Sequence, residues 1–456
     1  MTKKFSQKQV VLLCGDIVLI TLSFYLAPVS RFQIVLDPLT VFSFSDVVAI
    51  MVYILIIYIS DLYNFEEKVD KDRLAFEFTI AILIINIINA ALFYLFHLSS
   101  YGSWIILISS LLALTLLLLW RLVFIYFTGV TKIPLRILIL GSGTTGKALY
   151  ADIKASDNYK VIGFADDDEA KQGLIVDDLP ILGKCANLCD LIEKYKINKV
   201  IVAIHGSIGI AVFHELAQAK FNGVTVYEIP TFYEKFARKI PVLHTSSMWL
   251  GYADICGIKK SVYNQKLKKL QDKAIALIYL IIGLPLLILI AVAIKLDSPG
   301  PVFCIQKRIG WHGQSFHLVK FRTMMVGLEN HREFAGQKKD PRITRIGKFL
   351  RVYRLDEVPQ LWNILRGEMS FVGPRALMEE EVNEFTPQIP YFSFRHCIRP
   401  GITGWAQINY RHGATGQDGL AKLEYDLYYI KNGSFLLDVR IMLKTVWVVL
   451  TRLGAR

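Results

Sequence analysis

The sequence predicts a membrane protein in three parts: a four-helix transmembrane bundle, a small parallel α/β module, and a mostly α-helical domain entered through a re-entrant membrane helix. Three observations predict it. The first ~130 residues hold four apolar stretches, each about long enough to cross a bilayer. A polar segment follows in which short apolar runs alternate with helical patterns. Another apolar run then opens a polar, basic last third.

Composition agrees. A chain of 456 residues exceeds one ordinary domain, and 53% hydrophobic residues points to membrane spans. A net charge of +13 suggests anionic partners such as lipid head groups, phosphates or nucleic acid. Of the six cysteines, Cys185 and Cys189 lie four apart, but no second pair completes a metal site. Free thiols in a reducing cytosol are therefore expected. The basic residues 1–9 precede an apolar stretch without a small-residue cleavage site, so the stretch reads as an anchor.

The four stretches cover residues 10–27, 41–60, 74–98 and 104–127, within a first part taken as 1–130. Asp46 and Asp61 bracket a short apolar core in the second. Asp16 lies inside the first; an acid there is a site candidate by default, weighed against a place near an interface or between helices. Basic residues set the orientation. Lys3, Lys4 and Lys8 precede the first span, Lys68, Lys71 and Arg73 follow the second, and Arg121, Lys132 and Arg136 flank the end of the fourth. The other two loops hold only Arg31, which predicts a cytoplasmic N-terminus and a cytoplasmic position for everything after span four.

Residues 131–255 form the second part. A buried-strand pattern at 136–140 runs into Gly141-Ser-Gly143-Thr-Thr-Gly146 and a helix. A second strand at 161–164 ends in Asp166-Asp167-Asp168, and a third spans 199–203. This βαβ alternation is Rossmann-like, and G-x-G-x-x-G with acids about 20 residues on is the pattern of a dinucleotide site. Gly141, Gly143 and Gly146 are its candidate cofactor-binding residues. Tyr150/Lys154 and Tyr195/Lys199 have the Tyr-x-x-x-Lys spacing of a nucleotide-sugar dehydratase, but the first pair lies on the loop's own helix.

The third part, 266–456, opens with Lys266, Lys268, Lys269 and Lys273 before the apolar run 274–294, which Lys295 closes. Basic residues on both flanks prefer the cytoplasmic face. Gly283 and Pro285 fall in the middle, and proline breaks the helix ladder. A helix at about 270–296 that enters, bends at Pro285 and returns satisfies both signals; a straight span would place the basic last third outside.

Beyond it, Arg342, Arg345, Lys348, Arg351 and Arg354 recur every three residues and stripe one helical face. Asp356 and Glu357 follow, with Pro359 suited to the first turn of a new helix, where the dipole favours negative charge. Adjacent side chains there point in different directions. One carboxylate can face a phosphorus atom while the other holds magnesium, which takes oxygen ligands and substrate phosphates. Arginines would offset a diphosphate's charge. A capping acid pair beside a solvated basic helix explains this segment equally well by itself. The histidines show no ligand spacing, and Trp405 can stack on a base or simply pack.

The run Asp356-Glu-Val-Pro-Gln-Leu-Trp-Asn363-Ile-Leu-Arg-Gly367-Glu-Met-Ser370-Phe-Val-Gly373-Pro374-Arg375 resembles the hallmark of bacterial monotopic phosphoglycosyl transferases, or polyprenyl glycosylphosphotransferases. Matching blocks surround it in family order: Asp297-Ser-Pro-Gly-Pro301, Gln306-Lys-Arg308-Ile-Gly310, Lys320-Phe-Arg322-Thr-Met324 and Arg399-Pro-Gly401-Ile-Thr-Gly404-Trp405-Ala-Gln407. The spans and the βαβ module resemble the family's large form. The resemblance implies that Asp356 is the nucleophile, forming a covalent phosphosugar intermediate as the nucleoside monophosphate leaves, and that Glu357 binds Mg2+. It places Lys320, Arg351 and Arg375 at the phosphates and makes Gly373, Pro374, Arg354, Gln360, Arg322 and Arg399 candidates for substrate contact. It implies a UDP-sugar donor, an undecaprenyl phosphate acceptor, a multi-pass protein of the bacterial inner membrane with a cytoplasmic catalytic domain, and a role in starting exopolysaccharide, capsule or O-antigen synthesis. The extra module is compatible with a homodimer and with a regulatory role. One departure is Leu284, where relatives often carry Ser before the mid-helix proline.

Two other classes compete. A membrane-bound dehydratase or nucleotide-sensing regulator would act through the Rossmann-like module. Nucleic-acid binding rests on net charge alone, and membrane spans with an acid pair amid the basic stripe argue against it.

Overall fold

The computed structural model describes most of residues 7–450; chiefly 33–43, 64–77, 91–102, 129–133, 250–265, 327–340 and 411–415 fall outside the described residues. Lys68, Lys71, Arg73, Lys132, His331, His412 and the ends of the expected third span are among those left out. The chain forms two compact units, one of residues Met1–Val200 with Gly206–Thr225, the other of Ile201–His205 with Val226–Arg456.

Among the described residues three helices are long and apolar enough to cross a membrane. They are α1 (Gln7–Phe32), α3 (Ser103–Thr128) and α8 (Lys268–Asp297). Between α1 and α3, α2 (Phe44–Ile59) and the helical residues Ala81–Ala90 are shorter than a full span. All four N-terminal apolar segments contribute to one core that includes Leu12, Tyr53, Ile85 and Leu117. Asp16 lies between helices rather than at an open site. Both its oxygens accept from Arg121, Nη1 to Oδ1 at 2.7 Å and Nη2 to Oδ2 at 2.6 Å, with both side chains fully buried. This bidentate pair ties α1 to α3 where neither charge would be stable alone.

The α/β segment carries a six-stranded, parallel-rich sheet of order β3-β4-β2-β1-β5-β6. Its strands are β1 (Leu135–Leu140), β2 (Tyr159–Ala165), β3 (Ile175–Val176), β4 (Leu179–Gly183), β5 (Lys199–Val202) and β6 (Thr225–Glu228). The parallel neighbours β1, β2 and β4 need crossovers, and α4 (Thr144–Lys154) supplies the first. Ile137 to Leu140 are wholly buried, which explains the unbroken apolar run there. Helices α5 (Leu188–Tyr195) and α6 (Ile210–Phe221) follow their strands.

The second unit is mostly helical. It holds α7 (Ile229–Phe236), α8, the antiparallel hairpin β7 (Phe303–Ile309) and β8 (Ser315–Phe321), then α9 (Arg345–Val352) and a 3-10 helix, Leu355–Gln360. Helix α10 (Leu361–Arg366) leads to β9 (Ser370–Val372), which pairs in parallel with β10 (Gly401–Thr403). Between them lies α11 (Glu379–Gln388); α12 (Trp405–Asn409), α13 (Gly416–Asn432) and α14 (Phe435–Leu450) complete the chain.

Helix α8 is assigned as one 30-residue helix with Pro285 inside it. Near its start Ala276 packs with Phe316, Leu361 and Ile364; near its end Ile290 and Ile294 pack with Phe321 and Leu350. Between these contacts Ile281, Ile282 and Leu289 are 65%, 74% and 66% exposed. Cysteines 14, 185, 189 and 304 are free, but Cys397 is disulfide-bonded, against the expectation of free thiols throughout. Spacing along a chain does not report a thiol's neighbour in space.

Candidate active site

The blocks around the acid pair converge because the end of α8 is bolted to the hairpin and to α9. Arg322 donates from Nη1 to the Pro299 carbonyl at 2.8 Å and from Nη2 to the Ser298 carbonyl at 2.7 Å. Asp297 Oδ2 accepts from the Ile346 amide at 2.9 Å. Thr344 caps α9, accepting from the Gly347 amide at 2.9 Å, and Gly347 lies so close to the Thr323 carbonyl that no Cβ fits. The guanidinium of Arg322, 2% exposed, is thus engaged by the turn at 298–300.

Helix α9 buries Leu350, exposes Arg345 and Lys348, and directs Arg351 so that Nε donates to Thr323 Oγ1 at 2.9 Å. It stops at Val352, and two residues on the left-handed backbone of Arg354 (φ 57°) turns the chain into the 3-10 helix. Asp356 and Glu357 occupy that helix's first turn, with Pro359 inside it and Gln360, 3% exposed, at its end. Asn363 on the following α10 is fully buried. It accepts from the Val319 amide at 3.1 Å and donates to the His317 carbonyl at 2.7 Å, fixing the acid turn against β8 and hence against Lys320.

Glu357 is 7% exposed, and its Oε1 lies 3.5 Å from Arg354 Nη1, 3.7 Å from Arg375 Nη1 and 3.8 Å from Lys320 Nζ. These separations exceed hydrogen-bond length and leave room for rearrangement around a bound anion or cation. Asp356 differs: its Oδ1 is buried and has no hydrogen-bond partner among the described residues. Burial pushes its pKa up, the Glu357 charge adds to this, and Lys320, Arg351 and Arg354 pull against it. Burial also brings Lys320 down to about 8, although the Glu357 charge favours its ammonium form.

Arg375 reaches this cluster from a backbone turn. The Gly373 amide donates to the Thr403 carbonyl and the Gly401 amide to the Pro374 carbonyl, each at 2.9 Å. A Cβ at Gly373 would meet the Arg399 carbonyl, so the two strands approach more closely than any side chain allows. Gly373 and Pro374 therefore act through backbone, and Arg375 carries the charge. Arg399 instead places its guanidinium 4.9 Å over the Trp311 ring. Trp405 is 3% exposed and stacks on Tyr428, so it packs.

Asn363 was not a site candidate in the sequence, although a lone amide inside an otherwise apolar helix was a visible signal. No group of three or more His, Cys, Asp or Glu able to hold a metal exists among the described residues. Two adjacent carboxylates fit magnesium shared with substrate phosphates, which takes one or two protein carboxylates, better than a closed protein cage.

The glycine loop is chemically different. Gly141 has φ 100°, and a Cβ at Gly146 would strike the Gly141 carbonyl; Gly143 has open space. Asp166, just past β2, accepts from the Ser142 amide at 2.9 Å and from the Ser142 hydroxyl, from the Asp168 amide at 3.0 Å, and from Lys171 at 3.2 Å. Burial alone would raise its pKa, but these donors outweigh burial and hold it down at about 2.

Comparison with known proteins gives two family matches along the chain. Residues 263–452 match the bacterial sugar transferase family and residues 58–230 match a CoA-binding domain. The chain is 39% identical over 241 residues to a UDP-N-acetylgalactosamine-undecaprenyl-phosphate N-acetylgalactosaminephosphotransferase of Aeromonas hydrophila, covering 53% of this chain and 56% of that one. It is 43% identical over 198 residues to a UDP-glucose:undecaprenyl-phosphate glucose-1-phosphate transferase of Xanthomonas campestris pv. campestris, covering 42% and 41%. With a relative of the same description from Caulobacter vibrioides the identity is 39% over 186 residues, covering 40% of this chain and 70% of that one. The matches to the first two relatives span about half of their length. The chain belongs to the bacterial sugar transferase family, as the motif at 356–375 implied.

Proposed function

We propose that the protein transfers a sugar-1-phosphate from a UDP-sugar to undecaprenyl phosphate and releases UMP. The observation that carries this reading is Asp356: a buried carboxylate oxygen without a partner, amid Lys320, Arg351 and Arg354. The relatives' descriptions supply donor and acceptor. An Asp356 oxygen bonds to the phosphorus that bears the sugar, and the bond from that phosphorus to the oxygen of UMP breaks. An oxygen of the lipid phosphate then attacks the same phosphorus, the aspartyl–phosphorus bond breaks, and Asp356 returns as a carboxylate. Lys320, Arg351, Arg354 and Arg375 offset charge on the transferring group. Glu357 would hold Mg2+, which supplies further charge neutralisation when bound.

Helix α8 is proposed to be re-entrant, with both ends on one face of the bilayer. Thirty helical residues rise about 45 Å, more than the ~30 Å apolar core. A straight crossing would carry one end away from the domain, yet residues near both ends pack against the same unit. The N-terminal segments are proposed to make four crossings of the inner membrane, with the catalytic unit cytoplasmic. The product would be the first lipid-linked sugar of an exopolysaccharide, capsule or O-antigen.

The test is UMP release by purified protein with magnesium across a panel of UDP-sugars, with and without undecaprenyl phosphate. Lipid-dependent release with one sugar is expected. Folded protein that releases no UMP from any UDP-sugar would overturn the reading.

A further inference from the structure

The second unit includes a segment that the family match leaves out. Helix α7 and the residues up to Thr245 precede the matched residues 263–452, yet they are bonded into the same unit. Glu234 accepts from Lys431 Nζ and Asn432 Nδ2, both at 2.7 Å. The Ile240 amide donates to the Glu424 carbonyl at 3.0 Å and the Val242 amide to Glu424 Oε1 at 3.3 Å. Lys239 pairs with Glu424 Oε2 at 3.2 Å. Ile240 and Val242 are 0% and 2% exposed, in one core with Phe385, Phe392, Leu423 and Leu427. Five polar contacts and a shared core are more than a passing linker needs.

One of the bonds points toward the site. The Arg238 carbonyl accepts from Trp405 Nε1 at 2.9 Å, and Arg238 holds φ 52°, a conformation that persists in a non-glycine residue only where its surroundings fix it. Trp405 opens α12 directly after Gly404, which abuts the Gly373 carbonyl too closely for a Cβ. Gly373 and Pro374 are then hydrogen-bonded to β10, and the next residue, Arg375, reaches Glu357. One indole–carbonyl bond followed by backbone contacts between Gly404, Gly373 and β10 therefore connects the segment to the turn that carries Arg375.

We infer that residues 229–245 are a strap that positions Trp405, and through it the turn at Gly373–Arg375, for binding the diphosphate of the donor. The strap starts where β6 ends, so donor affinity in this chain depends on a segment continuous with the α/β sheet. Trp405 and Glu234 act as positioning residues. The inference rests on the transferase reading above.

The test uses the full-length protein. Trp405→Phe keeps a ring against Tyr428, 5.8 Å away centroid to centroid, and removes the N–H donor along with part of the buried indole's volume, whereas Glu234→Ala leaves that core packing intact. Glu234→Ala removes two bonds to α13 without altering any proposed substrate contact. Each should raise KM for the UDP-sugar about five-fold, the worth of roughly one net hydrogen bond, with kcat and KM for undecaprenyl phosphate within about two-fold of the parent. Glu234→Gln, which keeps an acceptor for Asn432, should recover most of the loss. Hydrogen exchange should quicken at the Gly373 and Gly401 amides in both variants. Parental donor KM together with parental exchange at these amides would overturn the strap's role, as would exchange that rises evenly across the unit. Failure of the transferase reading is distinguishable: it shows as no lipid-dependent UMP release in the parent, while the exchange measurement needs no substrate.

Discussion

Two aspartates mark the contrast between the two halves of this molecule. Asp166 follows a strand and faces a glycine loop; Asp356 opens a 3-10 turn beside basic side chains. Asp166 is saturated: amides, a hydroxyl and a lysine all donate to it, and its pKa falls to about 2. Asp356 keeps one buried oxygen unpartnered among the described residues, and its pKa rises. A satisfied carboxylate has spent its lone pairs on holding a loop. An unsatisfied one costs stability, and such groups persist where chemistry uses them. The loop that by pattern should face a nucleotide's phosphates is thus met by a carboxylate from its own module.

Breaking the contrast at its active end gives the largest expected effect. Asp356→Asn removes the proposed nucleophile but preserves volume, so turnover should fall on the order of 10³-fold or more while the protein stays folded. Steady-state UMP release checks the rate, and thermal melting checks the fold. Near-parental turnover would show that Asp356 is not the nucleophile. Arg375→Ala comes next. Loss of one charge-assisted contact to a phosphate should lower kcat/KM for the donor roughly 10–100-fold. Arg375→Lys should recover only part of this, because an ammonium lacks the guanidinium fork.

The acid limb of the pH–rate profile sharpens the same point. In the proposed reaction Asp356 attacks as a carboxylate, and burial raises its pKa, so activity should be lost as pH falls through a value above the usual carboxylate range. Arg351 lowers that pKa. Arg351→Gln should therefore move the acid limb to higher pH, measured as kcat against pH at saturating donor. A limb that stays in place would detach Arg351 from the charge balance of Asp356.

The sequence was informative where function is local. The acid pair, the basic stripe and the 373–375 turn lie within about 30 residues, and their residue types state their chemistry. The strands at 135–140, 159–165 and 199–202 were legible because buried parallel strands read as unbroken apolar runs. What depends on distant contacts was not legible. Arg322 and Arg351 are both motif arginines, but the first bonds a glycine-proline turn and the second lies beside Asp356, a difference that sequence alone does not encode. The same holds for Glu234 and Glu424, whose partners lie more than 180 residues away. The two-residue β3 and the short β6 lack the length for a periodic signal.

The smallest effect is expected at the saturated acid, and it separates the halves most sharply. The folded pKa of Asp166, about 2, lies below its ordinary value of 3.8, so the ionised form stabilises the fold. That stabilisation is present above the unfolded pKa and is lost as pH falls through the folded one. Asp166→Asn keeps an oxygen for Ser142 but loses the charge that Lys171 pairs with, 3.2 Å away. At pH 7 the variant should lose roughly 2 kcal/mol from the α/β module. The difference should fade as pH falls from about 4 to about 2, as read by chemical denaturation of the full-length protein. Transfer activity at 25 °C should stay within about two-fold, because this carboxylate holds a loop and touches no reacting atom in the proposed mechanism. If Asp166→Asn instead abolished UMP release with stability unchanged, the glycine loop would belong to the catalytic machinery, and saturation of a carboxylate would no longer mark it as structural.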